Sequence, residues 1–151
     1  MAIWHGGKFP MEAMNAFPTT TLVGTLGIEI IEAGDDWVKG KMPVDQRTKQ
    51  YAGVLHGGAS VALAETLASV GCYCTLDITT HGCAGMEINA NHIRSASGGF
   101  VYGVATQESA GRSTQVWTIR ITEEKGKLVC LSRCTMAVFA ATITPRQTAV
   151  K

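Results

Sequence analysis

The stretch KQYAGVLHGGASVALAETLASVGCYCTL, residues 49–76, decides the fold. From about Gly57 to Leu76 it predicts one long helix, because Ala59, Val61, Ala62, Leu63, Ala64, Leu67, Ala68 and Val70 leave hardly any polar face. A helix apolar all round is a buried helix. Its small residues (Ala, Gly, Ser) predict that something packs close against it. Two features break the pattern: the helix opens on His56-Gly57-Gly58, and a single acid, Glu65, stands in its middle.

The segments around this helix read as strands. "GIEIIEA" and "WVKGKMPV" alternate and are joined by the turn residues "AGDD"; "DQRTKQ" is a polar loop. After the helix, "DITTHG" reads as a turn. "CAGMEINANHIR", "GFVYGVATQES", "STQVWTIRIT" and "KLVCLSRCTMAVFAA" then follow, separated by the hairpin-like "SASGG", "AGR" and "EEKGK". Residues 11–16 predict a short helix ending before Pro18. The order is short helix, two strands, long buried helix, four strands. It predicts an α+β fold with an antiparallel sheet curved around one helix. With 151 residues, no internal repeat and no linker, the expectation is one domain over 1–151, with 142–151 a loose C-terminal tail.

Composition narrows the classes of function. Hydrophobic residues are 46% and charged residues 17%, an apolar balance that points to self-association. Thirteen basic and 12 acidic residues give a net charge of +1 with no basic patch or acidic tail, so neither nucleic acid nor an anionic membrane is an expected partner. "MAIWHGGKFPMEAMNAF" has no signal-peptide core, and the longest apolar run, 59–76, is short and interrupted by Glu65. The expectation is a soluble, cytoplasmic protein. Five cysteines, an odd count, argue against a disulfide framework. Cys72 and Cys74 are two apart on a helix and point in different directions, so they read as small core residues and no metal site is expected.

The chemistry concentrates at the two irregular features. Glycines opening a helix expose backbone N–H groups without intrahelical partners, at the positive end of the helix dipole. Such groups suit a developing oxyanion, or they are simply a tightly packed helix start. Glu65 is either the partner of an arginine (Arg94, Arg112, Arg120 and Arg133 are available) or a general base or nucleophile acting on a carbonyl. Gln50 offers an amide N–H to the same carbonyl. His56 either polarises it or caps the helix. Ser69, one turn beyond Glu65, either holds a water against the carboxylate or is merely small. The segments 91–95, with His92, Arg94 and Ser95, and 111–114, Gly111-Arg112-Ser113-Thr114, are basic and hydroxyl-rich. They are ordinary polar turns or phosphate contacts; "GRST" is no P-loop.

Spacing adds a constraint. Gly57 and Glu65 are eight residues apart, so they stand roughly 12 Å apart along the helix and are rotated by about 80°. One carbonyl cannot touch both on a single helix. Two antiparallel copies related by a two-fold axis bring Gly57 of one beside Glu65 of the other.

"QYAGVLHGGASVALAETLAS" resembles the motif of hotdog-fold acyl-CoA thioesterases, in the branch with Gln before HGG and Glu on the helix. Together, "MPVDQRTKQ", "LHGGASVALAETLAS", "EINANHIRSASGG" and "QVWTIRI" are similar to the bacterial menaquinone-pathway and enterobactin-associated thioesterases, over about residues 3–140. The resemblance implies a curved antiparallel sheet wrapped around one helix, assembled as a dimer of dimers, a homotetramer with active sites between subunits. It implies hydrolysis of 1,4-dihydroxy-2-naphthoyl-CoA, benzoyl-CoA-like or medium-chain acyl thioesters, or of aryl thioesters on a carrier protein, with no metal or other cofactor. By the resemblance Glu65 is the catalytic carboxylate and Gly57 the carbonyl-polarising N–H; Gln50 and His56 assist, and Ser69 positions water. Gly85, His92, Arg94 and Ser95 fall where the family contacts substrate and CoA, and Gly111, Arg112, Ser113 and Thr114 where it meets CoA phosphates and pantetheine. Tyr51-Ala52 departs from the family's Pro-Phe, and acyl specificity is expected to turn on packing around Tyr51, Leu67 and Met86. The competing readings are a proofreading hydrolase of misacylated aryl carrier protein and a non-catalytic acyl-CoA-binding oligomer.

Overall fold

The computed structural model describes residues 1–16 and 18–141. The expected tail, 142–151, lies outside the described residues. The first helix, α1, covers Met11–Met14, two residues less than expected. It stops because the Asn15 amide turns to the sheet: its Nδ2 donates to the Ile30 carbonyl (2.6 Å) and its Oδ1 accepts from the Ile30 N–H (2.8 Å). A second short helix, α2 (Leu22–Leu26), was not expected. Its signals are present all the same. Thr21 caps it, accepting from Gly24 N–H, and Gly27 closes it at φ 69°.

Strands β1 (Glu29–Ala33) and β2 (Trp37–Pro43) precede the long helix α3 (Gly57–Thr75). Strands β3 (His81–His92), β4 (Phe100–Ala110), β5 (Thr114–Glu123) and β6 (Leu128–Ala140) follow. His81 and Gly82, read from sequence as turn, already belong to β3. The six strands form one sheet in the order β1-β2-β4-β5-β6-β3, every neighbouring pair antiparallel. Register shifts interrupt four of the five strand pairs, and such bulges bend and twist a strand. The curved sheet lays five strands, β2 to β6, against α3.

Glycines set how closely sheet and helix approach. Gly40 and Gly103 are cross-strand partners, and the fully buried Leu67 sits in the dent between them. A Cβ on Gly40 would lie 2.8 Å from one Leu67 methyl, and a Cβ on Gly103 2.6 Å from the other. Leu67 is therefore a core residue of this chain.

The far end of α3 is fixed by a second contact. Gly71 faces the Trp117 ring, which an added Cβ would meet at 2.7–2.8 Å. That ring cannot swing away: its Nε1 donates to Gln115 Oε1 (3.0 Å), and Gln115 Nε2 donates to Thr75 Oγ1 (2.8 Å). Glycine inside a helix ordinarily costs about 1 kcal/mol relative to alanine, so Gly71→Ala would stabilise an exposed helix. Here we expect the reverse, a loss of about 1–3 kcal/mol from overpacking, lowering Tm by several degrees. Thermal unfolding checks it; an unchanged or raised Tm would refute the ring contact as the reason for glycine.

The expectation that α3 is buried all round does not hold within one chain. Ala59, Ser60, Leu63, Ala64, Leu67, Ala68, Gly71 and Cys72 are buried, but Gly58, Val61, Ala62, Glu65, Thr66, Ser69 and Tyr73 form a partly open stripe. The sheet covers one side of the helix and leaves the other. β3 is likewise unfinished: among the described residues it pairs only with β6, and its outer edge is free. No described helix is long and apolar enough to cross a membrane.

Candidate active site

The helix start is built so that one backbone donor remains. His56 is the N-cap, and its Nδ1 accepts the Gly58 N–H at 2.8 Å. His56 therefore caps the helix, and the capping bond leaves its Nε2 unused. The N–H groups of Ala59 and Ser60 both turn to the His56 carbonyl (2.9 and 3.3 Å). Among the described residues, the Gly57 N–H has no acceptor. It is left at the positive end of a 19-residue helix.

An exposed side chain stands close over the Cα of Gly57. The His92 imidazole lies where a Cβ would fall, 2.8 Å from Nε2 and 2.9 Å from Cε1. A cleft of about 290 Å³ opens here, lined by Gly57, Ser60, His92, Arg94, Ser95 and Val129 among others. The structure thus joins Gly57 to three of the expected substrate contacts, His92, Arg94 and Ser95. In the loop before α3, the Ala52 N–H donates to Gln50 Oε1 (2.6 Å), and Gly53, at φ 81°, closes the turn. The Gln50 carbonyl oxygen is committed, which leaves its amide N–H groups as the donors.

Glu65 is half-buried. It forms no ion pair or hydrogen bond among the described residues, so none of Arg94, Arg112, Arg120 and Arg133 is its partner within the chain. Its carboxylate lies against Gly85 of β3 and near the buried thiol of Cys134. Burial, with the nearby carboxylates of Glu65 and Glu87, pushes Cys134 up to about 11. That thiol stays neutral near pH 7 and is no nucleophile. Ser69 shares the Glu65 face; its hydroxyl is directed at Met136 Sδ, 4.0 Å away.

Other expected residues stand apart within one chain. Tyr51 is fully exposed, Met86 is 63% exposed and Leu67 is in the core. The apolar cavity on the Glu65 side, about 370 Å³, is lined instead by Met14, Ser69, Val70, Tyr73 and Cys83. Tyr73 was legible from spacing, four residues beyond Ser69 and eight beyond Glu65. Met14 and Cys83 arrive from other elements and had no such signal. The two expected CoA-binding groups are also apart. His92 pairs with Cys130, whereas Thr114, closing the exposed turn Gly111-Arg112-Ser113, pairs with Ala137. Seven residues of β6 separate them, about 23 Å.

The site therefore has two halves: an unpaired N–H beside His92, and an unpaired carboxylate beside Gly85. Comparison with known proteins gives them a context. The family model of the thioesterase superfamily matches residues 52–130. The 1,4-dihydroxy-2-naphthoyl-CoA hydrolase of Escherichia coli is 48% identical over 140 residues, 91% of this chain and 99% of that protein. The proofreading thioesterase EntH of Cronobacter turicensis is 48% identical over 131 residues, 85% of this chain and 93% of that one. The crystal structure of a glutamine-to-alanine mutant of thioesterase PA1618 from Pseudomonas aeruginosa superposes with a TM-score of 0.89 at 40% identity, covering 93% of this chain and all of that one.

Proposed function

The chain belongs to the thioesterase superfamily and is a thioester hydrolase, and from that premise we propose that it cleaves aromatic acyl-CoA thioesters, with each active site shared between two copies. One observation carries the reading. The two unpaired halves of the site abut the same free-edged strand seven residues apart, Gly57 at His92 and Glu65 at Gly85.

An antiparallel pairing of two β3 edges, about a two-fold axis midway between residues 85 and 92, sets Gly85 of one strand opposite His92 of the other. It thereby carries Glu65 of the partner subunit toward the Gly57 N–H. The open stripe of α3 meets its twin in this arrangement. Thr114 lies level with Ala84, since both pair with Ala137. The same axis therefore brings the partner's 111–114 turn to the His92–Ser95 end, where Arg94 and Arg112 form one cationic ground for CoA phosphates. Two such dimers form the tetramer.

In that site the thioester carbonyl oxygen accepts from Gly57 N–H, and the Gln50 amide stands beside it as a second donor. Glu65 attacks the carbonyl carbon through a water whose proton it takes, or directly, forming an anhydride that water opens. The C–S bond breaks, the sulfur leaves as the CoA thiol with a proton, and water supplies the second oxygen of the free acid. Neither route calls on a metal or redox cofactor. The acyl group enters the cavity of Met14, Val70, Tyr73 and Cys83, where sulfur and ring contacts favour an aromatic group such as naphthoyl or benzoyl. Medium-chain acyl groups fit the same apolar wall.

A thiol-release assay over 1,4-dihydroxy-2-naphthoyl-CoA, benzoyl-CoA, decanoyl-CoA and aryl-loaded carrier protein tests this. The aryl-CoA esters should give the highest kcat/KM. Faster turnover of the carrier-bound aryl group would favour proofreading, the role named for the Cronobacter relative. An absence of thiol release across the panel would sink both.

A further inference from the structure

We propose that Gly85 is a positioning residue for the reaction, holding the Glu65 carboxylate in place by having no side chain. The inference rests on the catalytic reading of Glu65 given above and goes beyond it, since it concerns a residue that need not touch substrate.

The placement follows from register. Gly85 is paired with Met136, and Ile88 with Cys134. Paired residues of an antiparallel ladder share a face, so Gly85 faces the helix with the buried Met136. Between these pairs the strand slips, with the irregularity falling between Gly85 and Glu87. Such a bulge re-aims the local backbone. The gap at Gly85 is filled by Glu65: its Oε1 occupies the space of a Cβ, with Cδ 3.5 Å and Cγ 4.0 Å from that position. No ion pair or hydrogen bond among the described residues fixes this carboxylate. What bounds it on the sheet side is its close approach to the β3 backbone at Gly85.

The backbone at Gly85 does not itself demand glycine, because it lies outside the positive-φ region. The residue is needed for space alone. Any side chain there drives the carboxylate off its position toward the open stripe of α3. Misplacement of a reacting group by about 1 Å is enough to cost on the order of 10²-fold.

The experiment is a double-mutant cycle with Glu65→Asp, whose carboxylate is one methylene shorter and retreats from an added Cβ. Gly85→Ala should lower kcat about 10–100-fold with KM changed less than about threefold, since substrate contacts remain and only the reacting group moves. In the Glu65→Asp background the same Gly85→Ala change should lower kcat less than about threefold. Equal losses in both backgrounds, or a loss residing in KM, would overturn the inference and make Gly85 a strand or substrate contact. So would full activity in Gly85→Ala. Glu65→Gln is measured alongside: if it retains turnover, the catalytic reading of Glu65 fails, whereas inactive Glu65→Gln with fully active Gly85→Ala defeats only the positioning role.

Discussion

Glu65→Gln is expected to lower kcat by about 10²–10⁴-fold, the range supplied by a positioned acid–base group. The amide has the shape of the carboxylate, so packing against Gly85 is kept, but it can neither accept a proton from water nor attack a carbonyl. The fold should hardly notice. Glu65 has no partner in the chain to leave stranded, and a half-exposed isosteric change of this kind usually stays within about 0.5 kcal/mol. Tm should therefore move by less than about 2 °C. Turnover of benzoyl-CoA within a few-fold of the parent would end the role assigned to Glu65. A collapse of Tm together with activity would place the residue in the architecture instead.

The second large effect comes from mixing two inactive variants. Gly57→Pro removes the one unpaired N–H while keeping the helix, because proline is well suited to the first helical position. His56 before it is already extended, at φ −70° and ψ 132°, as a residue preceding proline must be. Loss of one such donor should cost about 10²–10³ in kcat. Gly57→Ala, which carries the same Cβ toward His92 but keeps its N–H, is the control and should be far more active. Neither Gly57→Pro nor Glu65→Gln should turn over alone. Mixed as equal parts and reassembled, half the dimers should be hybrid, each with one complete and one doubly broken site. About a quarter of the parental activity should return. No recovery above the sum of the two parents would mean that the halves act within one chain.

The sequence exposed the fold because two patterns are written plainly in it. Alternation marked the strands, and the long run of small apolar residues marked α3. Boundaries shifted by one or two residues where turn and strand chemistry overlap, as at His81 and Gly82. α2 was missed although Thr21 and Gly27 bracket it, because the threonine-rich lead-in reads first as loop. At the site, the residue types of Gly57 and Glu65 and their eight-residue spacing were enough to ask for two chains. The sequence offered a cap for His56 and an amide donor in Gln50, but not which of their own atoms the local backbone takes, Nδ1 of the one and Oε1 of the other.

By itself, then, the sequence determined the order of the strands and the long helix, the one helix held against a curved sheet, and the candidate pair Gly57 and Glu65 on it. These are local properties, set by side-chain period and by where glycine and glutamate fall on one helix. Tertiary structure decided what is left unpaired. Only the register of β3 on β6 puts Gly85 beneath Glu65 and His92 beside Gly57, and it separates Arg94 from Arg112 along β6. Only the curvature of the sheet determines which stripe of α3 stays open. Such facts arise from contacts between residues far apart in the chain, whose pairing no local pattern encodes.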